Sequence, residues 1–588
     1  MPKWVEILQH DESQWIETNF PTHERGDNKM IPMNKAMKTM KFVLATGLIT
    51  VFTAVSAQAK NRYLVMYKSK QGHQAMESLM QTESARTYGF KQSLKNINGM
   101  VIQTADQRVI EQLRNHPEIE LVEAEVFTPA PKPVNGFKIS AVTVQEIPSV
   151  DPIVTAPMAP VSPIFQAGEK TPWGILAVKA PEAWALADSG INARVLVLDT
   201  GIDKDHPSLQ VNFEAGQNFF ASDVGPNPGD YLDTQGHGSH CSGTIAGAYN
   251  PTTGFVGVAP KAKLLMGRVC GDLGCSNIAV AAGINWGVSQ KVDVISMSLG
   301  GPSASAGERM AIQNAEKNNV VVVAASGNDG TQSISFPARL PNVISVGAIS
   351  SDLMKTTFSQ WGPELSVTAP GAAVLSSIPR GSGRDSVVDI VTTAGKLRVK
   401  SAAFSGTKSI AVPRIGEMVP AGLGKPDDFA KINVTGKFAL IGRGEIPFSE
   451  KVANALKAGA TGAVIYNNVA GLMQGSLTQD GSEMDVAVVM IEQTDGQKIL
   501  DLISKGETTS AEISTVASDY ALFDGTSMAA PHVAGIVALI RSANKKLTPA
   551  QVRMILATTA MPLGPNDANQ YGAGLVQADK AVKAALGL

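Results

Sequence analysis

Four short aliphatic runs, separated by stretches with helical periodicity, constrain the fold of this chain more than any other feature of the sequence. The runs are residues 194–198 (RVLVL), 263–266 (KLLM), 292–297 (VDVISM) and 320–324 (VVVVA). Strands of this composition are buried on both faces, as in a parallel sheet that helices cover. The sequence therefore predicts an α/β domain, three-layer α/β/α with a mostly parallel sheet, whose functional residues lie in loops at the strand ends.

Length and charge limit the remaining possibilities. The chain has 588 residues, and a single hydrophobic core seldom serves more than about 250–300 residues, so several domains are expected. Lys plus Arg number 50 and Asp plus Glu 52, for a formal charge of −2. Such a balance gives no electrostatic reason for binding nucleic acid or an anionic membrane, and we predict no nucleic-acid partner.

The region before residue 60 has the layout of an export signal. Lys35, Lys38 and Lys41 precede an apolar run over 42–55, which is followed by Ser-Ala-Gln-Ala at 56–59. This pattern predicts a secretory signal peptide over 33–59, cleaved after Ala59, and a secreted mature protein. A membrane anchor is the alternative, but the run is shorter than the roughly 20 residues that span a bilayer. Residues 1–32 precede Met33 as a polar N-terminal extension of undetermined role.

The rest of the chain divides into regions with different patterns of predicted strands and helices. Residues 60–128 alternate strand-like and helical segments, which predicts a small α+β domain. Eight prolines between 129 and 163 deny that segment regular structure, so 129–170 is predicted to be an accessible linker. A strand-rich sequence pattern over 382–517 interrupts the α/β pattern, which resumes after residue 517. We therefore expect an inserted domain that divides the α/β domain into 171–381 and 518–588.

Four residues in the α/β region supply the groups needed to hydrolyse an amide. Asp199 ends an aliphatic strand, where a carboxylate can orient an imidazole, and His237 lies between glycines at a predicted helix start. Ser527 begins another predicted helix as a candidate nucleophile, and Asn328 follows a strand as a side-chain donor to an oxyanion. Each residue alone is weak evidence, since a lone Asp at a strand end is more often a cap. Their joint occurrence in the order Asp, His, Ser predicts a catalytic triad.

The residues around the triad resemble the signature blocks of the subtilase family of serine proteases. The three blocks are 199–203 (DTGID), 237–244 (HGSHCSGT) and 525–531 (GTSMAAP), and 298–301 (SLGG), 325–328 (ASGN) and 358–363 (FSQWGP) also fit. The likeness covers 171–380 and 518–585.

The resemblance implies serine endopeptidase activity on protein or peptide substrates through an acyl-enzyme on Ser527. His237 would act as general base and then acid, Asp199 would orient it, and Asn328 with the Ser527 backbone N–H would form the oxyanion hole. Ser298, Leu299 and Gly300 would pair with the substrate backbone as an added strand, and Gly327 would join them in substrate binding. The chemistry implied requires no cofactor.

The flanking domains carry resemblances of their own. Residues 60–128 resemble the inhibitor-type propeptide of the family through 113–117 (LRNHP) and 121–125 (LVEAE). This likeness implies a self-processed precursor whose own propeptide is an intramolecular inhibitor. The insert resembles a protease-associated domain through 436–444 and 457–463, which implies a role in substrate access or partner binding.

Cysteines and calcium leave open points. Cys270 and Cys275 enclose Gly-Asp-Leu-Gly, and they form either a disulfide or two buried thiols. Cys241 resembles the free thiol beside the catalytic His of proteinase K-like members, although a small buried filler is the alternative. Members of the family often bind structural calcium at positions that here hold Ser208 and Pro251. Neither side chain is a carboxylate or carboxamide, so the metal content stays unknown and that calcium site is doubtful.

Two other functions share the same motifs. An inactive subtilase fold could bind peptides without cutting them, and an esterase or peptide ligase could use the same triad. Asp199, His237, Ser527 and Asn328 are all chemically competent, which favours hydrolysis. Side-chain specificity, the physiological substrate and the oligomeric state do not follow from the sequence.

Overall fold

The computed structural model describes residues 61–79, 90–94, 97–134, 172–220, 229–251, 253–469, 471–478, 482–564 and 567–588. The predicted N-terminal extension, the predicted signal peptide and most of the proline-rich linker lie outside the described residues.

The first unit is an antiparallel sheet of four strands in the order β2-β3-β1-β4. Its elements are β1 Asn61–Tyr67, α1 Lys70–Leu79, β2 Phe90–Leu94, β3 Gly99–Thr104, α2 Gln107–Arg114 and β4 Ile119–Ala124, followed by the short strand β5 Phe127–Thr128. Side chains alternate across β1, so Tyr63 and Val65 pack with Ile110 of α2 in a small core of this unit. Leu64 and Met66 face the other way, into a core shared with the next domain.

The α/β domain follows residue 171 and is built around seven strands in the order β14-β13-β12-β11-β6-β8-β7, with every neighbouring pair parallel. Its elements are α3 Trp173–Ala177, α4 Ala180–Ala187, β6 Arg194–Asp199, β7 Phe213–Asn218, α5 His237–Ala246, β8 Lys263–Arg268, β9 Cys270–Gly271, β10 Gly274–Ser276, α6 Asn277–Ser289, β11 Val294–Met297, α7 Ala306–Lys317, β12 Val321–Ala325, β13 Val343–Ile349, β14 Val367–Pro370 and β15 Val374–Ser377.

Alternating burial along the strands explains the three layers. In β6, Val195 and Val197 belong to one hydrophobic core, whereas Leu196 and Leu198 belong to the core on the opposite face, which contains the apolar residues of α6 and α7. Both faces of the sheet are therefore covered, as the aliphatic runs predicted. The predicted α/β/α architecture with a parallel sheet is confirmed.

The insert is an eight-stranded sheet in the order β17-β16-β23-β19-β20-β21-β22-β18. Its elements are β16 Gly383–Thr392, β17 Gly395–Val399, β18 Ser401–Ala403, β19 Ile410–Pro420, α8 Pro426–Phe429, β20 Phe438–Gly442, α9 Phe448–Lys457, β21 Gly462–Tyr466, β22 Ala487–Ile491, α10 Gln493–Ser504 and β23 Ser510–Ser518. Gly383 and Ser518 are paired across β16 and β23. The chain therefore enters and leaves the insert at neighbouring positions.

The last segment returns to the α/β domain. It comprises β24 Tyr520–Phe523, α11 Thr526–Ala543, α12 Pro549–Thr559, α13 Ala568–Tyr571 and α14 Ala578–Leu586. β24 pairs antiparallel with β15, so the insert separates two strands that are partners in space. α11 is buried over nearly its whole length and contributes Val533, Ile536 and Val537 to the core. Within the described ranges, no helix is both long and apolar enough to cross a membrane.

Candidate active site

Asp199 and His237 meet where β6 ends and α5 begins. His237 Nδ1 lies 2.9 Å from Asp199 Oδ1 and 3.1 Å from Oδ2, and both side chains are buried. Burial is the largest single influence and lowers the pKa of His237, but Asp199 and Cys241 together outweigh burial and hold that pKa well above its ordinary value. An imidazolium formed at His237 is therefore stabilised. Because Nδ1 faces a carboxylate, Nε2 is left as the nitrogen that can accept a proton.

Glycines allow this close approach of strand end and helix start. A Cβ on Gly238 would lie 2.1 Å from the backbone oxygen of Gly201. Gly201 itself has φ +126°, and a side chain there would lie 2.7 Å from the carbonyl oxygens of Tyr231 and Leu232. The glycines that follow Asp199 and His237 in sequence are therefore required by the backbone packing of the site.

Ser527 is the second residue of α11 and is 5% exposed. Its Oγ donates to the backbone oxygen of Ser298 at 3.0 Å, and Ser298 Oγ donates to the backbone oxygen of Ser527 at 2.8 Å. Among the described residues, His237 Nε2 is buried and has no hydrogen-bond partner. Proton transfer from Ser527 to His237 would therefore require the serine hydroxyl to turn away from Ser298, as active-site contacts often tighten only around substrate.

Asn328 lies beside the same helix start with its amide held in one orientation. Its Oδ1 accepts hydrogen bonds from Thr526 N at 2.8 Å and from Thr526 Oγ1 at 2.9 Å. The Nδ2 group is left as a donor, and it lies 3.5 Å from the ideal Cβ position of Gly525. Gly327 donates from its backbone to Thr526 Oγ1 at 3.1 Å, so the loop after β12 and the start of α11 are joined.

Residues 127–134, which follow the four-stranded sheet of the N-terminal unit, run through the cleft between β10 and the start of α11. β5 pairs antiparallel with β10, Phe127 opposite Ser276 and Thr128 opposite Cys275. Six residues further on, Val134 N donates to the backbone oxygen of Asp524 at 2.7 Å. Since Asp524 lies three residues before Ser527, residues 129–133 cross the cleft between β10 and the serine-bearing helix.

This path adds β10 to the candidate substrate-binding residues. Ser298, Leu299 and Gly300 were predicted to pair with substrate, and the chain beside them contacts the segment, since a Cβ on Gly301 would lie 2.6 Å from Thr128 Cγ2. The strand that pairs with the segment is β10, over Gly274–Ser276. Sequence reasoning missed it because a three-residue strand of Gly, Cys and Ser has no hydrophobic pattern.

Comparisons with known proteins agree with this geometry. Residues 190–420 match the model of the subtilase family, and residues 412–499 match that of the PA domain. Subtilisin E of Bacillus subtilis is 30% identical over 351 residues, which cover 58% of this chain and 80% of that protein. The chain belongs to the subtilase family. It is accordingly a serine peptidase, a hydrolase that acts on proteins.

Further relatives are similar over parts of this subtilase. The major intracellular serine protease of Bacillus subtilis is 44% identical over 215 residues, which cover 35% of this chain and 67% of that protein. Among solved structures, the psychrophilic subtilisin-like protease Apa1 of the Antarctic psychrotroph Pseudoalteromonas sp. AS-11 aligns with a TM-score of 0.54 and 28% identity. That alignment covers 70% of this chain and 97% of Apa1.

The cysteines of the subtilase lie at the cleft. Cys270 and Cys275 form a disulfide across the β9–β10 hairpin, with their Cα atoms 4.0 Å apart. All three cysteines are described, and Cys241 is the one left unbridged. Its Sγ lies 3.5 Å from Ser527 O and 3.8 Å from His237 Nδ1. Burial raises the pKa of the Cys241 thiol, so the thiol is neutral at rest.

A mercurial is expected to inhibit this subtilase through Cys241. The ligand atoms of Asp199, His237 and Cys241 all lie within 4.8 Å of one another, so a soft metal ion on Sγ would also draw on the imidazole. Residual peptide hydrolysis after titration with mercuric chloride measures the effect, and Cys241→Ser should relieve it. Undiminished sensitivity of the variant would place the reactive group elsewhere.

Ser208, one of the two calcium positions considered from the sequence, contacts another side chain. Ser208 Oγ lies 2.8 Å from the hydroxyl of Tyr520, and Asn250 Nδ2 donates to the same hydroxyl at 3.2 Å. Phe255 packs against the Tyr520 ring with 4.9 Å between ring centroids. Ser208 and Pro251 add no carboxylate or carboxamide oxygen, so these residues do not fit a calcium ion at that position.

Proposed function

We propose that this subtilase is a secreted serine endopeptidase that cuts peptide bonds through an acyl-enzyme on Ser527. The observation that carries the proposal is the buried Asp199–His237 pair beside a serine at the start of α11. His237 Nε2 takes the proton of the Ser527 hydroxyl as Oγ attacks the carbonyl carbon, and then returns it to the leaving amine. Asp199 holds the imidazole in the tautomer that leaves Nε2 unprotonated.

Negative charge develops on the carbonyl oxygen during the attack, and two donors are available for it. The backbone N–H of Ser527 belongs to the first turn of α11, where N–H groups are not used within the helix. Asn328 Nδ2 is the second donor, because Thr526 occupies only the oxygen of that amide. Fixed donors of this kind need no reorganisation when the oxyanion forms.

The contacts of the N-terminal unit support the proposal that residues 60–128 are an inhibitory propeptide. Glu123 accepts from Ala306 N at 3.0 Å and from Gly307 N at 3.1 Å, at the first turn of α7. A carboxylate at a helix N-terminus satisfies free N–H groups and is favoured by the helix dipole. Val126 N also donates to Asn277 Oδ1 at 2.8 Å at the start of α6. These contacts hold β5 against β10, so a substrate cannot pair there.

The segment in the cleft also bears on where the precursor is cut. Pro129, Pro131 and Pro133 lack backbone N–H groups, and Pro133 is buried next to the hydrogen bond from Val134 to Asp524. We infer that self-processing takes place within the predicted linker over 129–170, and that a signal peptide over 33–59 directs export. N-terminal sequencing of active material from the medium should give a start between 129 and 171. Active enzyme that still begins at Lys60 would contradict the propeptide assignment.

Turnover on two substrates separates the proposed endopeptidase from the alternatives. An endopeptidase hydrolyses casein as well as a simple ester, an esterase hydrolyses only the ester, and an inactive peptide-binding fold hydrolyses neither. The buried Asp199–His237 pair favours a catalyst over the inactive peptide-binding fold, because it supplies the base that hydrolysis requires.

The proposed chemistry uses only groups of the protein, so we expect no cofactor requirement. Tyr520 bridges Ser208 and Asn250 through its hydroxyl, and neither Ser208 nor Pro251 offers a carboxylate or carboxamide oxygen to a cation. EDTA should therefore leave peptide hydrolysis and the midpoint of thermal unfolding unchanged relative to calcium chloride. A midpoint that rises with calcium concentration would show that the folded protein binds the ion.

A further inference from the structure

The insert reaches the strand that leads to the nucleophile. Gln474 lies in the loop over 471–478 and is buried. Its Oε1 accepts from Leu522 N in β24 at 3.1 Å, and its Nε2 donates to Ala403 O at 2.9 Å. Because Leu522 lies five residues before Ser527, these two bonds fix the edge of the insert beside the cleft.

Arg443 lies on the same edge of the insert. It follows β20, its side chain is partly buried, and its guanidinium donates to Asn467 Oδ1 at 2.9 Å. Asn467 follows the neighbouring strand β21 and donates from Nδ2 to Gly471 O at 2.8 Å. The guanidinium is thereby tied to the loop that Gln474 joins to β24.

The cation of Arg443 has a neutral partner in this position. Among the described residues it forms no ion pair, and burial lowers its pKa while the charge of Asp524 raises it. Asp524 is itself buried, and its Oδ1 accepts from Ala373 N at 2.6 Å. The charge of Asp524 acts on Arg443, but the two side chains form no ion pair and the Asp524 carboxylate is hydrogen-bonded to Ala373. A partly desolvated guanidinium with one neutral partner has donors left for an anion.

The direction of the chain in the cleft shows which side of a substrate would meet Arg443. The bound segment enters at β10 with Phe127 and Thr128 and reaches the backbone of Asp524 with Val134. In a substrate that lies in the same direction, the residues that follow the scissile bond would lie beside Asp524. Arg443 is joined to that end of the cleft through Asn467 and the loop over 471–478, which Gln474 bonds to Leu522.

We propose that Arg443 is a specificity residue of the insert, which binds an acidic side chain on the C-terminal side of the scissile bond. The inference rests on the proposed endopeptidase function. A charge-assisted hydrogen bond at a partly desolvated site favours the acidic substrate by about tenfold in kcat/KM. The insert then selects substrates directly, by contact with the fragment that leaves first.

Pairs of fluorogenic peptides that differ only by Glu or Gln test this assignment with the mature enzyme. The residue is varied at each of the three positions after the scissile bond, and the ratio of kcat/KM for Glu over Gln is measured. We expect a ratio of about ten at one of these positions, falling as salt is added. Arg443→Gln should bring the ratio close to one, and Arg443→Lys should retain part of it.

Arg414→Gln is the matched control, because Arg414 lies in the same insert and pairs with Asp485. It should keep both the ratio and the rate on the Gln peptide. A parent enzyme with no preference for Glu at any position, or a ratio that survives Arg443→Gln, would overturn the assignment. Failure of the parent to cut either peptide would count against the proposed endopeptidase function.

Discussion

Replacing Ser527 by alanine is expected to lower peptide turnover by on the order of 10⁶-fold while leaving the fold intact. The change removes one oxygen, whose hydrogen bond is to the backbone of Ser298. The hydrogen bond from Ser298 Oγ to the backbone of Ser527 remains, as does the packing of α11. Loss of the Asn328 donor should cost less, about 10²–10³-fold, because the serine N–H still binds the oxyanion.

The same variant tests self-processing. Ser527→Ala should accumulate as a folded, uncleaved chain from about Lys60 to Leu588, and added active enzyme should then trim it. Electrophoretic mobility and peptide hydrolysis are measured beside the parent and beside Ser542→Ala, a matched change near the far end of α11. Full activity of Ser527→Ala would remove this serine from the mechanism. Its maturation in the absence of any other protease would show that processing does not use the triad.

If residues 60–128 are the propeptide proposed above, its release is expected to be promoted as pH rises toward neutrality, because of Glu308. Burial, with a smaller contribution from the Glu123 carboxylate, raises the pKa of Glu308 to about 7, against the hydrogen bonds from Ser305 and the charge of Arg309. Departure of the propeptide takes Glu123 away and uncovers the start of α7. The pKa of Glu308 should then fall toward its ordinary value.

The sign of the pH effect follows from that difference. A group whose pKa is higher in the docked state takes up a proton on docking, so docking is favoured at low pH. The advantage is complete below the ordinary glutamate range and is lost as pH rises through about 7, the pKa of docked Glu308. Between pH 5 and 8 we expect the dissociation constant of the processed complex to rise by roughly tenfold to a hundredfold.

Size separation of the processed complex after dilution at each pH measures the propeptide that stays bound, independently of catalytic activity. Glu308→Gln should flatten the dependence and tighten the complex at pH 8. Glu182→Gln on α4, which belongs to the opposite side of the sheet, should behave like the parent. His116, another titratable residue of the N-terminal unit, is present in all three proteins. A difference in pH dependence between them is therefore due to Glu308. A pH dependence that persists in Glu308→Gln would assign it to another group.

Much of the architecture was predictable because it depends on local patterns. The aliphatic runs around Val195 and Val322 identified strands of a parallel sheet, since burial on both faces leaves a composition that can be recognised in a few residues. The interruption of this pattern by the insert was visible for the same reason. The segments around Asp199, His237 and Ser527 were also recognisable from their neighbouring residues, because small residues must flank a helix start that packs this closely.

Other features depend on which distant elements meet, and only the tertiary structure decided them. The disulfide follows from the pairing of β9 with β10, and Tyr520, whose hydroxyl contacts Ser208, lies 312 residues from it. The docking of Glu123 on α7 and the hydrogen bond between Gln474 and Leu522 join separate units of the chain. The sequence by itself determined the sheet, the order of the units and the chemical groups of the site. The partners of those groups were decided by packing, because contact across the cleft depends on the relative placement of whole elements and leaves no pattern in neighbouring residues.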